Sequence, residues 1–94
     1  MLEAEESKFI FPTISIIIPT LNSAKTLRDC LESIAMQEYS EDKIEIIIAD
    51  GGSTDKTLAI INDFDIKVVS NPLKTGEAGK AAGLRYAKND IIAL

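Results

Sequence analysis

The second of three polar segments in this chain, residues 50–55 (DGGSTD), has the residue types that best suit ligand binding. Its two glycines let the backbone turn tightly and let a ligand approach closely. Asp50 follows an apolar run and so lies at the end of a predicted strand. At that position its carboxylate could accept a hydrogen bond from a ring N–H of uracil or guanine. The same letters are common in a turn that leads into a helix cap, for which Ser53 or Thr54 could serve. Both interpretations stand for this segment.

The first polar segment, residues 19–22 (PTLN), also follows an apolar run. Pro19 stops that run and fixes the backbone, while Thr20 and Asn22 offer short polar groups. A helix is predicted to begin just after them, and helix N-termini bind anions. A capped loop explains the same residues, and this segment, taken alone, favours that simpler interpretation.

The third polar segment, residues 74–80 (KTGEAGK), adds positive charge. Lys80 could contact a diphosphate, as Arg85 could less plausibly, although a lysine at an exposed helix end is usually a solvated charge. The segment is not a Walker A loop, because the Gly-x-x-x-x-Gly-Lys-Ser/Thr spacing is absent. No Gly-x-Gly-x-x-Gly follows the first predicted strand either, so the dinucleotide-binding fingerprint is also missing.

Apolar, β-branched runs of strand length alternate with helical patterns, which is typical of strands buried on both faces of a parallel sheet. The order βαβαβαβ predicts an α/β, Rossmann-like fold, with a parallel sheet of strand order 3-2-1-4 and helices on both faces. Ligands bind such sheets at the carboxyl ends of the strands, where the three polar segments should meet. Strands are predicted at 14–18, 44–49, 66–69 and 91–94. The first helix is predicted from Ser23 to near Tyr39, and the third over 77–87. The second helix should begin at Ser53 or Thr54, with core positions Leu58, Ile61 and Phe64.

Composition excludes several classes of function. The 94 residues suffice for one domain, and the net charge of −5 argues against nucleic acid as a partner. The absence of histidine removes Ser-His-Asp and Cys-His mechanisms and histidine-based metal sites. Cys30 is the lone cysteine, and its place on the apolar side of a helix predicts a small core residue. No apolar run could span a membrane and the acidic start is no signal peptide, so a cytoplasmic location is expected, with membrane association left open for regions outside this chain.

The three segments together resemble the family 2 inverting glycosyltransferases, which have the fold called GT-A. The resemblance lies in residues 15–22 (SIIIPTLN), 47–57 (IIADGGSTDKT) and 79–87 (GKAAGLRYA), and extends from about Ile14 to Leu94. It implies that residues 13–94 are the nucleotide-sugar-binding half of such a domain, preceded by a tail at 1–12. The chain would then be truncated just before the Asp-x-Asp motif of the family.

The resemblance also implies which residues contact the donor. Many relatives read Asp-Asp-Gly-Ser where this chain has Asp50-Gly51, so Asp50 alone is left for the base. Residues 19–22 and Asp50 would contact base and ribose, and Lys80 would lie near the diphosphate. The implied nucleotide-sugar-binding residues are Pro19, Thr20, Asn22, Asp50, Gly52, Ser53 and Lys80.

The function implied by the resemblance is transfer of a sugar from a nucleotide-diphosphate donor to an acceptor hydroxyl. A divalent metal, Mg²⁺ or Mn²⁺, is expected in the full-length enzyme, with its ligands and the catalytic base absent from this chain. The isolated chain should therefore be inactive, and it should self-associate through the exposed edge of its fourth strand.

Two alternatives remain at this point. A sugar nucleotidyltransferase-like enzyme would need a glycine-rich, arginine-containing loop after the first strand, which residues 19–25 do not provide. A non-catalytic nucleotide-binding or receiver-like module is the other. A receiver needs an aspartate at the end of its third strand, whereas Ser70 follows that strand here.

Overall fold

The computed structural model describes residues 13–37, 43–64, 66–89 and 91–93, the last stretch by its backbone only. Strands and helices alternate strictly along these residues, as the sequence predicts. In chain order the elements are β1 (Ile14–Thr20), α1 (Ala24–Ala35), β2 (Ile44–Asp50), α2 (Thr57–Ile61), β3 (Lys67–Ser70), α3 (Gly76–Leu84) and β4 (Ile91–Ala93).

The four strands form one parallel sheet in the order β3-β2-β1-β4. This confirms the predicted order 3-2-1-4. In the register, Thr20 lies opposite Asp50, and Asp50 lies opposite Ser70. The carboxyl ends of β1, β2 and β3 are therefore level, which brings the three loops that follow them to one edge of the sheet.

Helices cover both faces of the sheet, as predicted. On one face, Leu27 and Leu31 of α1 and Ile61 of α2 form a buried cluster with Ile48 of β2. Fully burying an aliphatic side chain of this size contributes about 1.5–3 kcal/mol, so this cluster holds α1 and α2 on the sheet.

Helix α3 covers the other face by close approach to β1. A Cβ atom at Gly83 would lie 2.3 Å from Ile17 Cγ2, and one at Gly79 would lie 2.8 Å from Pro19 Cβ. Only glycine fits at such distances, so these two residues let α3 rest directly on β1. The start of α3 is thereby fixed beside the loop that follows β1.

The prediction that Pro19 stops the first strand is wrong, because β1 continues to Thr20. The Thr20 carbonyl accepts a hydrogen bond from the Gly51 N–H at 2.9 Å, so Thr20 faces β2. The nitrogen of Pro19 must then face the β4 side of β1, where the described residues of β4, 91–93, pair with residues 14–16. Among the residues that the structure describes, no ladder hydrogen bond is lost at Pro19, and a strand tolerates proline at such a position.

Cys30 is exposed, not a core residue. Helix α1 buries Leu27 and Leu31, four positions apart, and Cys30 lies about 100° around the helix from Leu31. The buried stripe of α1 is narrower than its apolar letters indicate.

The helix boundaries also differ from the predictions. Helix α2 starts at Thr57 rather than at Ser53 or Thr54, and Leu58 is 42% exposed although a core position was expected. Phe64 packs against the core cluster as expected, but beyond the end of α2. Helix α3 ends at Leu84, before Ala87.

Helix α1 ends at Ala35, short of the predicted end near Tyr39, which falls outside the described residues. Strand β3 spans Lys67–Ser70, one residue later than predicted at both ends. Strand β2 ends at Asp50, one residue beyond its predicted end. Strand β4 ends at Ala93, while Leu94 and the predicted tail at 1–12 are outside the described residues. None of the described helices is both long and apolar enough to cross a bilayer.

Candidate functional site

Strands β1 and β2 end side by side, and a carboxylate organises the loop that follows β2. The Thr20 and Ser53 hydroxyls both donate to Asp50 Oδ1, each at 2.6 Å. Asp50 Oδ2 accepts from the backbone N–H groups of Gly52 at 3.0 Å and Ser53 at 2.8 Å. Asp50 thus folds residues 51–53 back over the end of its own strand.

Asp50 is 6% exposed. Burial raises the pKa of its carboxyl, but the hydrogen bonds from Ser53, Thr20 and Gly52 outweigh burial and hold the pKa below its usual value. A carboxylate has about four lone-pair positions, and the loop fills them. A base N–H can therefore bond to Asp50 only where the Thr20 or Ser53 hydroxyl turns away. The predicted base contact of Asp50 stays a prediction.

Asn22 joins the first loop to the second. Its Oδ1 accepts from the backbone N–H groups of Thr54 at 2.8 Å and Asp55 at 3.3 Å. Its own N–H donates to Ser53 Oγ at 2.9 Å. Asn22 has a φ of 51°, in the left-handed region that asparagine tolerates better than most residues. The side chain is thus used to hold the two loops together.

Asp55 caps the starts of two helices, a role that the sequence did not reveal. Its Oδ2 accepts from the Ala24 N–H of α1 at 3.2 Å, and its Oδ1 accepts from the Thr57 N–H of α2 at 2.9 Å and from the Thr57 hydroxyl. The hydrogen bonds from Thr57 are the main reason why the pKa of the Asp55 carboxyl is lowered. Aspartate two residues before a helix is an Asx-turn pattern, which is the signal that could have found it.

Ser23, the predicted N-cap of α1, makes other contacts instead. Ser23 occupies the position before α1, but its side chain caps no N–H of that helix and accepts from the Leu21 N–H at 3.2 Å. The Ser23 N–H donates to Thr57 Oγ1 at 2.8 Å. Together with Asn22 and Asp55, Ser23 therefore connects the first loop to the second loop and to the start of α2.

Asn71 ties the third loop to the sheet and to α3. This buried residue donates its backbone N–H to the Asp50 carbonyl at 2.9 Å. Its Nδ2 donates to the Thr75 carbonyl at 2.9 Å, and its carbonyl accepts from the Lys74 N–H at 3.0 Å. Thr75 in turn caps α3, because its Oγ1 accepts from the Ala78 N–H at 3.1 Å.

An open pocket of about 150 Å³ lies between the first and third loops. Lys74, at its margin, has a φ of 65°, uncommon for a residue other than glycine. A Cβ atom at Gly51 would lie 3.3 Å from both Cα and Cγ of Lys74, so the third loop crosses directly over Gly51. The lining residues are Pro19, Thr20, Leu21, Asn71, Lys74, Thr75 and Gly76.

The predicted site residues fall into three groups. Pro19 and Thr20 line the pocket. The other loop residues, Asn22, Asp50, Gly52 and Ser53, hold the first and second loops together through the hydrogen bonds above. Lys80 is exposed on α3 and does not line the pocket. Gly79, which faces Pro19, lies one residue before it, so Lys80 points about 100° away around the helix.

Within residues 13–37, 43–64 and 66–89, no three side chains of aspartate, glutamate, cysteine or histidine come together in a group able to hold a metal ion. Asp50 and Asp55 are each committed to the donors named above. These two carboxylates therefore do not fit the donor set of a metal site, and no catalytic step is assigned to a metal within this part of the chain.

A sequence profile and the curated relatives both place this chain among glycosyltransferases. The sequence profile described as glycosyl transferase family 2 matches residues 15–94. The chain is 38% identical over 85 residues to a dolichyl N-acetyl-alpha-D-glucosaminyl phosphate 3-beta-D-2,3-diacetamido-2,3-dideoxy-beta-D-glucuronosyltransferase of Methanococcus voltae, covering 83% of this chain and 26% of that protein.

Two solved structures share the fold. The mannosyltransferase PcManGT of Pyrobaculum calidifontis, in complex with GDP-Man and Mn²⁺, has a TM-score of 0.78 at 26% identity, covering 88% of this chain and 26% of that one. Glucosyl-3-phosphoglycerate synthase of Mycobacterium tuberculosis, in complex with Mn²⁺, UDP and glucosyl-3-phosphoglycerate, has a TM-score of 0.67 at 27% identity. That match covers 97% of this chain and 34% of the other.

The chain thus spans about a quarter to a third of the proteins that it matches. The likeness confirms a GT-A, Rossmann-like sheet for the described residues. All three of these proteins are named as enzymes that transfer or attach a sugar, so neither the nucleotidyltransferase nor the receiver-like alternative is favoured.

Proposed function

Since the chain belongs to glycosyl transferase family 2, we propose that it supplies the nucleotide-binding part of an enzyme that transfers a sugar from a nucleotide-diphosphate donor to an acceptor hydroxyl. The observation that carries this proposal is the joining of three loops at the carboxyl edge of a parallel sheet. Asn22 and Asp55 tie the first loop to the second, and Asn71 ties the third to the end of β2. Parallel α/β sheets bind their ligands at this edge.

In the proposed arrangement, Pro19, Thr20 and Asn22 contact the base and ribose. Asp50 accepts from a base N–H while Gly52 and Ser53 keep its loop in place. The support for this is the pocket beside Pro19 and Thr20 and the ionised state of Asp50. Lys80 stands near the diphosphate by position in the family motif, and its exposure leaves the ammonium free to meet a bound donor.

The proposed reaction breaks the bond between the anomeric carbon of the sugar and the diphosphate oxygen. A new bond forms from the same carbon to the acceptor oxygen, whose proton passes to a carboxylate base outside this chain. The bond electrons leave with the nucleoside diphosphate. A divalent metal, when bound by residues outside this chain, would offset the charge of that leaving group. Solved relatives with Mn²⁺ and GDP-Man or UDP support both the donor class and the metal.

The same proposal covers the chain as a whole. Residues 13–94 form the donor-binding half, residues 1–12 precede it as a tail, and the 94-residue chain alone is inactive. The full-length protein acts in the cytoplasm. The support is the match to residues 15–94, which spans only part of each relative.

A thermal-shift screen tests the proposal directly. Full-length protein is heated with a panel of nucleotide sugars, each with and without manganese, and with the matching sugar 1-phosphates as controls. We expect at least one nucleotide sugar to raise Tm, more so with manganese, since a ligand that binds the folded state stabilises it. A panel in which no nucleotide sugar raises Tm above its sugar 1-phosphate would contradict the proposal.

A further inference from the structure

Two polar side chains lie opposite each other at the amino end of the central strands, at the other end of the sheet from the candidate site. Ser15 and Glu45 are the polar residues within the otherwise apolar runs 14–18 and 44–49. The register of β1 on β2 pairs them directly. Ser15 is fully buried, and its hydroxyl donates to Glu45 Oε1 at 2.9 Å. A carboxylate within such a strand is costly unless hydrogen bonds satisfy it, so its other partners are informative.

The same carboxylate oxygen also holds the turn that leads into β4. Glu45 Oε1 accepts from the Lys88 N–H at 3.2 Å, so one oxygen atom on β2 is bonded both to β1 and to the segment before β4. Burial raises the pKa of the Glu45 carboxyl, but hydrogen bonds from Ser15 and Lys88 and the charge of Lys67 outweigh burial and hold the pKa below its usual value. Glu45 is therefore an ionised acceptor at neutral pH.

Asn89 ties the same turn to β1. Its Nδ2 donates to the Ile14 carbonyl at 3.1 Å. Ile14 is also the residue of β1 that lies opposite Ile91 of β4. Two consecutive residues, Lys88 and Asn89, are thus bonded to two neighbouring strands just before β4 begins. A shift of β4 by one residue would move both of them by about 3.3 Å, which neither hydrogen bond could tolerate.

From this geometry we infer that Glu45 and Asn89 are positioning residues: they fix the register of β4 on β1, and with it the placement of the chain that follows β4. The inference rests on the proposed function and adds to it two residues that act from the far end of the sheet. Because β4 is parallel to β1, it runs towards the edge where the three loops meet. A slip by one residue would turn every side chain of the strand to the other face. A displacement of about 1 Å near reacting groups can already lower a rate about hundredfold.

A surface ion pair is the simpler explanation of Glu45. Lys67 Nζ lies 3.7 Å from Glu45 Oε2, and the two side chains are 36% and 22% exposed. Ion pairs between partly exposed groups contribute little. The two hydrogen bonds to Oε1, which join β2 to β1 and to the turn before β4, favour the role of acceptor. The two explanations differ in whether the charge of Glu45 or its oxygen matters.

The test uses variants of the full-length protein that separate the acceptor from the charge. Glu45→Met and Glu45→Gln are both neutral and similar in length, but glutamine alone keeps an oxygen acceptor. We expect Glu45→Met to lower kcat for sugar transfer about hundredfold, and Glu45→Gln to remain within about threefold of the unaltered protein. Lys67→Met, which removes the ion pair alone, should also leave kcat unchanged.

The Michaelis constant for the donor separates positioning from binding. It should change by less than about threefold in all three variants, because the loops after β1, β2 and β3 are held by their own contacts at the other end of the sheet.

Amide hydrogen exchange, read by mass spectrometry, separates a loosened β4 from a general loss of stability. In Glu45→Met, exchange should become faster in peptides covering residues 88–93 and stay unchanged in those covering α1 and β3. Asn89→Ala should give the same local change with a loss of kcat of about tenfold, and it decides the matter if Glu45→Met does not fold. Asn62→Ala, at the exposed end of α2, is the matched control.

Several results would overturn the inference: an unchanged kcat in Glu45→Met and Asn89→Ala, an equal loss in Glu45→Gln, or faster exchange throughout the sheet. A raised Michaelis constant with kcat intact would overturn it too, since it would place these residues in donor binding. Failure of the proposed function looks different, because the unaltered protein would then transfer no sugar, while exchange at residues 88–93 still tests the register. Transfer that is insensitive to both variants contradicts only the inference.

Discussion

The Thr20 hydroxyl donates a 2.6 Å hydrogen bond to Asp50 Oδ1 across the central pair of strands. The two residues are 30 positions apart in the sequence and directly opposite in the sheet. Through this contact the end of β1 holds the carboxylate that shapes the loop after β2. A change at either residue should therefore be felt in both loops.

Asp50→Asn should weaken donor binding by about tenfold or more in the full-length protein. The change removes a charge-assisted hydrogen bond worth roughly 1.5–3 kcal/mol and turns an amide NH₂ towards donors that need an acceptor. Calorimetric titration with the preferred donor measures it. Asp29→Asn, on the exposed surface of α1, is the control. A Kd for Asp50→Asn equal to that of the control would remove Asp50 from the site.

Acidification should destabilise the chain through Asp50 and Asp55. Both have a pKa below the model-compound value of 3.8, so their hydrogen bonds stabilise the fold fully only above that value. This stability is lost as pH falls through the lower folded pKa values, because protons then bind the unfolded state first. We expect Tm to fall between about pH 4 and pH 2, and less steeply in Asp55→Asn. If Tm of Asp55→Asn fell with pH as steeply as Tm of the unaltered chain, the role of Asp55 would be refuted.

Gly83→Ala should destabilise the chain by about 1–3 kcal/mol. Its Cβ would meet Ile17 Cγ2 at 2.3 Å, in the centre of the contact between α3 and β1. Gly76→Ala is a matched control on the same helix, since a Cβ there has no atom within 4 Å. Urea unfolding gives both values. Equal stability of the two variants would mean that α3 does not rest on β1 as described.

The isolated chain should self-associate. Val68, on the edge strand β3, is 44% exposed, and Leu73, which follows β3, is 75% exposed. Exposed strand edges with apolar neighbours recruit partners. Light scattering at micromolar concentration should give a mass above that of one chain, and Val68→Lys should lower it. A monodisperse single chain in the unaltered protein would count against this prediction.

Sequence patterns were sufficient for the architecture, because buried β-branched runs and helical spacing determine both element type and sheet order. They failed where a single contact decides the outcome. Pro19 remains in its strand because its nitrogen faces away from β2, and Cys30 is exposed because α1 buries a narrow stripe.

For the site, the segment DGGSTD predicted where the loop lies but not which contacts its side chains make. Asp55 caps two helices and Asn71 anchors the third loop, and both depend on partners that the linear sequence does not place beside them. The contact between Lys74 and Gly51 could not be predicted from the sequence, because it arises only when β2 and β3 pair.

The most direct measurement is release of nucleoside diphosphate by the full-length protein, with a panel of nucleotide sugars, manganese and cell-derived acceptor lipids, polymers or small molecules. The 94-residue chain is assayed in parallel. The account predicts acceptor-dependent release from at least one donor by the full-length protein and none by the 94-residue chain. Turnover by the 94-residue chain alone, or the absence of acceptor-dependent release from every donor by the full-length protein, would contradict it.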